Sequence, residues 1–113
     1  MYITRVTLNN YRNYGSLGLE LSTGLNVFTG ENAQGKTNLL EAVYFTGVGR
    51  SMRTPRDKEL IRWGDDMARI RADAAGRYGK SRVEIVLDKR ENKRVAINGV
   101  PVKKLGELMG VIM

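Results

Sequence analysis

One stretch of eight residues constrains this chain more than any other. Gly30-Glu31-Asn32-Ala33-Gln34-Gly35-Lys36-Thr37 fits the pattern G-x-x-x-x-G-K-[ST]. Such a loop works only between a strand that enters it and a helix that leaves it. The flanks match that demand. Residues 25–29 read as a short strand running straight into Gly30, after a turn at Ser22-Thr23-Gly24. Beyond Lys36 the apolar spacing becomes helical, and Leu39, Leu40, Val43, Tyr44 and Gly47 are predicted to share a face, with Ala42 and Phe45 also apolar. Gly47 and Gly49 are expected to end this helix.

The loop is suited to phosphate. Glycines at 30 and 35 permit backbone angles that turn N–H groups inward. The helix starting near Lys36 adds unpaired N–H groups and a positive dipole end. Lys36 is of a length to reach the β- and γ-phosphates, and the Thr37 hydroxyl is placed to ligate Mg²⁺. The pattern alone arises by chance in about one such sequence in a hundred.

The rest of the chain reads mostly as strands. Residues 2–10 are rich in β-branched and aromatic types, with Tyr2, Val6 and Leu8 on one face. Leu17, Leu19 and Leu21 alternate with Gly18 and Glu20, as in a half-buried strand. Residues 50–56 form a basic loop, and residues 57–63 are predicted to form a short helix. Ala68, Ile70, Ala72 and Ala74 alternate with Arg69, Arg71 and Asp73, and Val83, Ile85 and Leu87 alternate in the same way. Asn98-Gly99 between two short apolar runs is a hairpin turn. Residues 104–109 read as a helical start.

Composition narrows the chemistry. The 113 residues are enough for one small domain, and 42% hydrophobic with 27% charged is a globular balance. With no cysteine and no histidine, disulfides, thiolate or imidazole metal sites and histidine-based nucleophile pairs are excluded. No apolar run reaches the ~20 residues that span a bilayer, and the N-terminus lacks a signal-peptide stretch, so a cytoplasmic protein without membrane attachment is expected. Nineteen Lys and Arg against twelve Asp and Glu give a net charge of +7, which suits a polyanion such as DNA.

Several segments together resemble the beginning of the RecF family of bacterial recombination and gap-repair ATPases. They are Asn10-Tyr11-Arg12-Asn13-Tyr14, the loop followed by Asn38-Leu39-Leu40-Glu41-Ala42, then Gly49-Arg50-Ser51-Met52-Arg53-Thr54 and Leu60-Ile61-Arg62-Trp63-Gly64. The resemblance runs along essentially the whole chain. It implies an α/β fold with α+β character: the N-terminal part of a P-loop, ABC-type ATPase head related to SMC and Rad50 proteins, with strands, loop and helix followed by an antiparallel β subdomain. Residues 1–113 would be one such part. ATP and Mg²⁺ are the implied cofactors. The implied partners are DNA, gapped or at junctions, a RecR-like mediator that helps load RecA, and a second copy in an ATP-dependent homodimer. DNA repair, recombination, replication and the SOS response are the implied settings.

The resemblance assigns Gly30, Asn32, Ala33, Gln34, Gly35, Lys36, Thr37 and Asn38 to the nucleotide, with Asn32 turned toward the γ-phosphate. Arg12 takes the place of a basic side chain beside the phosphates; its alternative is an ordinary surface arginine. Arg50, Arg53 and Arg56 match a basic segment that contacts nucleotide or senses DNA, or else form a solvated loop. Tyr11 and Tyr14 are core or edge residues, or stack on a base. Parts of an ABC-type site are not in this sequence. Gln34 is the only glutamine, so there is no Q-loop. The run Val83-Glu84-Ile85-Val86-Leu87-Asp88 imitates a Walker B strand, but Glu84 interrupts it and the alternation fits an antiparallel strand with one wet face. The expectation is an N-terminal piece that binds nucleotide weakly or not at all and does not hydrolyse it. Two other readings stay open: another ABC-type ATPase subunit, and a basic nucleic-acid-binding module that does not use ATP.

Overall fold

The computed structural model describes residues 2–12, 14–20, 33–51, 53–77, 79–108 and 110–111, with backbone alone for residues 19–20 and 33–37. Period-two patterning produces the strands where it was read. They are β1 (Tyr2–Tyr11), β2 (Tyr14–Glu20), β3 (Met67–Gly76), β4 (Gly79–Asp88), β5 (Arg94–Ile97) and β6 (Val100–Pro101). All pair antiparallel in one sheet of order β2-β1-β3-β4-β5-β6. A register shift between Ile3 and Arg5 marks a bulge in β1 against β3. Asn98 and Gly99, both at positive φ, make the two-residue turn joining β5 to β6. The strand expected over 25–29 and the turn before it lie outside the described residues.

One face of the sheet carries Val6, Leu8, Ala68, Ile70, Ala72, Ala74, Val83, Ile85, Leu87 and Val95, all buried. The helix α1 (Ala33–Val48) supplies Leu39, Ala42 and Phe45 to the same core, and Tyr11, Leu60, Ile61 and Leu108 complete it. The opposite face is wet, with Arg5, Arg71, Asp73, Arg82 and Glu84 at the alternate positions. Glu84 therefore sits on the wet face of an antiparallel strand paired on both sides, as its alternation implied.

Four local expectations need correction. The buried side of α1 holds Asn38, Leu39, Glu41, Ala42, Phe45 and Thr46, whereas Leu40 and Tyr44 are exposed. The helix is apolar on both sides, so hydrophobic spacing could not choose between them. Three of the buried positions, Asn38, Glu41 and Thr46, are polar, which hid the true core face. Gly47 is inside the helix, and Gly49 alone stops it: its φ is +87°, and a Cβ there would lie 2.7 Å from Leu105 Cδ2. The helices expected over 57–63 and 104–109 are single 3₁₀ turns, Asp57–Leu60 and Leu105–Leu108. Tyr2 is exposed despite sharing the parity of Val6 and Leu8, because the bulge lies between them.

Candidate nucleotide-binding site

The helix that follows the loop begins at Ala33, so the backbone of Ala33, Gln34, Gly35, Lys36 and Thr37 forms its opening turns. Its first turn carries no acidic residue, and the helix dipole there favours an anion. Gly30 and Asn32 lie outside the described residues. Asn38, one turn further, is buried.

Arg12 is held at the end of β1 by an unusual backbone. Its φ is +50°, a conformation that side chains other than Gly, Asn and Asp rarely adopt. Segment 60–62 stabilises it: Arg12 N–H donates to the Leu60 carbonyl at 2.7 Å, and Arg62 N–H donates to the Asn10 carbonyl at 2.6 Å. Tyr11 also forms an isolated bridge with Ile61. Residues 10–12 and 60–62, from two resembling segments far apart in sequence, are thus one structural unit.

That unit aims two side chains at Glu41, which is completely buried on α1. The Tyr11 hydroxyl donates to Glu41 Oε1. Arg12 Nε donates to the same oxygen at 2.7 Å, and Arg12 Nη2 donates to Oε2 at 2.8 Å. Ser51 Oγ donates to Oε2 at 2.9 Å. These four bonds fill the carboxylate's acceptor positions. Arg53 Nε stands 3.9 Å from Oε2 as a further cation, while its Nη1 donates to Asn38 Oδ1 at 2.8 Å. Ser51 Oγ also accepts the backbone N–H groups of Arg53 and Thr54, at 3.1 and 3.3 Å.

The electrostatics follow from these contacts. Burial pushes the Glu41 carboxyl up, but the bonds from Arg12, Tyr11 and Ser51 outweigh it, and the group lies below its ordinary value. Burial, reinforced by the bond to Glu41, pushes the Tyr11 hydroxyl far up, so it remains a donor. The bond to Glu41 likewise raises Arg12. One anion thus faces two guanidinium groups, leaving a net positive charge beside the opening of α1.

The structure therefore brings Arg12, Asn38 and Arg53 together and leaves the other two predicted arginines apart. Arg50 is exposed and lines an open groove of about 490 Å³ with Ser51, Arg53, Asp57 and Lys93. Arg56 is exposed on a neighbouring groove with Lys58 and Lys89. Tyr11 is core rather than a stacking platform, since its ring is fully buried. Sequence reasoning gave no role to Glu41 or Ser51. The available signal was two polar residues, Asn38 and Glu41, spaced three apart on the same side of the helix as Ala42 and Phe45. Among the described residues, no group of three or more Asp or Glu side chains could hold a metal, and no helix is long and apolar enough to cross a membrane.

A sheet over a helix that opens from a phosphate loop defines a class, and the chain belongs to the AAA domain family, which matches residues 5–108. Within the class it is similar to DNA replication and repair protein RecF. The identity is 46% to that of Clostridium perfringens (strain SM101), covering 97% of this chain and 30% of the relative. It is 43% to that of Clostridium kluyveri, covering 99% and 31%. The chain thus spans about 30% of the length of the curated relatives it matches. A solved structure described as the recombination mediator protein RecF-ATP in the RecFOR pathway superposes with a TM-score of 0.89 at 31% identity, over 99% of this chain and 31% of that one. The SMC head domain from Thermotoga maritima shares the fold, with a TM-score of 0.78 at 17% identity over 96% of this chain and 41% of that one.

Proposed function

We propose that this chain is the ATP-binding part of a RecF-like DNA replication and repair protein. The observation that carries the reading is the match to the RecF-ATP structure over 99% of the chain, with α1 opening inside the loop sequence. On this reading residues 1–113 form one N-terminal part of an ABC-type head. Gly30, Asn32, Ala33, Gln34, Gly35, Lys36 and Asn38 hold the nucleotide, and Thr37 ligates Mg²⁺. When bound, the nucleotide with its Mg²⁺ supplies the phosphoryl chemistry. The chain's own residues supply N–H donors, the Lys36 charge and a positive helix end.

In a complete protein of this kind, ATP would join two copies, and the dimer would bind gapped or junction DNA and work with a RecR-like mediator in loading RecA in the cytoplasm. Arg12 would lie beside the phosphates, and Arg50, Arg53 and Arg56 would meet DNA or nucleotide. The charge of +7 and the exposure of Arg50 and Arg56 also favour a second reading, a basic DNA-binding module that ignores ATP.

A melting-temperature titration separates the two. At 100 times the dissociation constant, Mg-ATP should add about 2.7 kcal/mol of stability, and Lys36→Ala should remove the shift. A shift that survives Lys36→Ala, or DNA affinity that is strong, steeply salt-dependent and indifferent to ATP, would overturn the ATP reading. Steady-state phosphate release is expected to be absent, since the sequence carries no Walker B run leading to a water-orienting acid.

A further inference from the structure

Two arginines that the function reading assigns separately, one to nucleotide and one to the basic segment 50–56, meet at one buried carboxylate. Glu41 has no solvent contact, and its acceptor positions are filled by Tyr11, Arg12 and Ser51. Arg12 uses one edge of its guanidinium, Nε and Nη2, on that carboxylate. Its other edge, Nη1 with the second Nη2 proton, is the natural edge for a phosphate. Arg53 is tied in by three routes: its charge 3.9 Å from Oε2, its Nη1 on Asn38, and its backbone N–H on the same Ser51 hydroxyl that donates to Glu41. Asn38 and Glu41 lie one turn apart on α1, directly after the phosphate loop.

We propose that Glu41 is a positioning residue that couples the basic segment 50–56 to the phosphate-loop helix, so that a phosphate drawn to Arg53 is registered at Arg12. The physical reason is that the carboxylate is shared and saturated. Moving Arg53 releases Asn38 and lets Ser51 turn, which changes the donors on Oε2 and hence the field and geometry that fix Arg12. The phosphate can come from a DNA backbone or from a nucleotide. The inference rests on the function reading for its purpose, but the coupling itself needs no ligand to be tested.

The test is the side-chain Nε–H signal of each arginine in ¹⁵N-labelled protein. Arg12 should give a slowly exchanging signal, because its Nε–H is bonded to a carboxylate. Arg53→Ala, a partly exposed change that leaves the core intact, should shift that signal. In the Glu41→Gln background, Arg53→Ala should leave Arg12 where it was. An Arg12 signal indifferent to Arg53→Ala, or one that responds equally with Gln at 41, would overturn the coupling. If Glu41→Gln does not fold, Ser51→Ala replaces it and should cut the Arg12 response at least about twofold. Two further arms separate the ligands. A short duplex DNA should move Arg53 and, through Glu41, Arg12. Mg-ATP should do so only while Lys36 is present. Silence in both ligand arms with an intact response to Arg53→Ala would overturn both the function reading and the registering of phosphate at Arg12, leaving only the Glu41 link between the two arginines.

Discussion

At the scale of single residues, Glu41 concentrates most of the consequences. A buried carboxylate is tolerated only when its charge is matched, and here every acceptor position is taken. Glu41→Ala leaves the Arg12 guanidinium and the Tyr11 hydroxyl without their acceptor and should cost about 3–5 kcal/mol in urea unfolding. Its pH dependence has a definite sign. The folded state keeps Glu41 ionised to lower pH than the unfolded chain does, so the unfolded chain binds the proton first. The stability it contributes is therefore present above its ordinary value of 4.5 and is lost as pH falls through that value toward the folded one. Glu41→Gln should flatten this part of the acid limb, read as the urea midpoint between about pH 6 and pH 3. An unchanged acid limb would contradict the assignment. Little of this network was legible in the sequence. A buried acid looks like a surface acid until its partners are known, and Tyr11, Arg12 and Ser51 lie at distances that periodicity does not connect.

At the scale of elements, strands were easier to read than the helix. Ala68 to Ala74 and Val83 to Leu87 keep strict alternation because one face of the sheet packs and the other meets water, so each parity has a single meaning. The Asn98-Gly99 turn was equally plain, since both positions need positive φ. In α1 the apolar residues surround the axis, and the choice of face depended on tertiary partners. Phe45, fully buried and lying under the Lys93 ammonium at 5.3 Å, is the clearest mark of the inner side. Phe45→Ala should cost about 3–5 kcal/mol, while Leu40→Ser, on the half-exposed side, should change stability by less than about 0.5 kcal/mol in this chain. Equal costs in thermal or chemical melts would return the helix to the face that its hydrophobic spacing suggested. The segments 57–63 and 104–109 read as helices, but only single turns form, from which Leu60 and Leu108 plug the core, and the buried Ile61 already lies past the first turn.

At the scale of the whole molecule, charge and fold make different kinds of statement. The fold is shared with SMC heads at low identity, so it carries no partner by itself. The charge predicts an ionic contribution to any DNA affinity: binding by this chain should weaken steeply as salt rises from about 50 to 200 mM, by roughly tenfold or more if several phosphates are neutralised. Fluorescence anisotropy with a labelled duplex measures the slope, and Arg50→Ala with Arg56→Ala should lower it. A slope indifferent to both changes would place the contact elsewhere, for example on the wet face that carries Arg5, Lys80 and Arg82 around a groove of about 900 Å³.

The strand order also shapes how such a chain assembles. Strands β3 to β6 follow one another in both sequence and space, so they can zip from local turns. The pairing of β1 with β3, Val6 beside Ala72 and Leu8 beside Ile70, must instead close a long chain loop that contains the whole phosphate loop and α1. Loop closure costs entropy before its contacts reward it, so this junction belongs to the late part of folding. A ribosome releasing this chain would thus finish the helix that carries the phosphate loop before the sheet that must hold it exists, and β1 must wait, unpaired on that side, for β3.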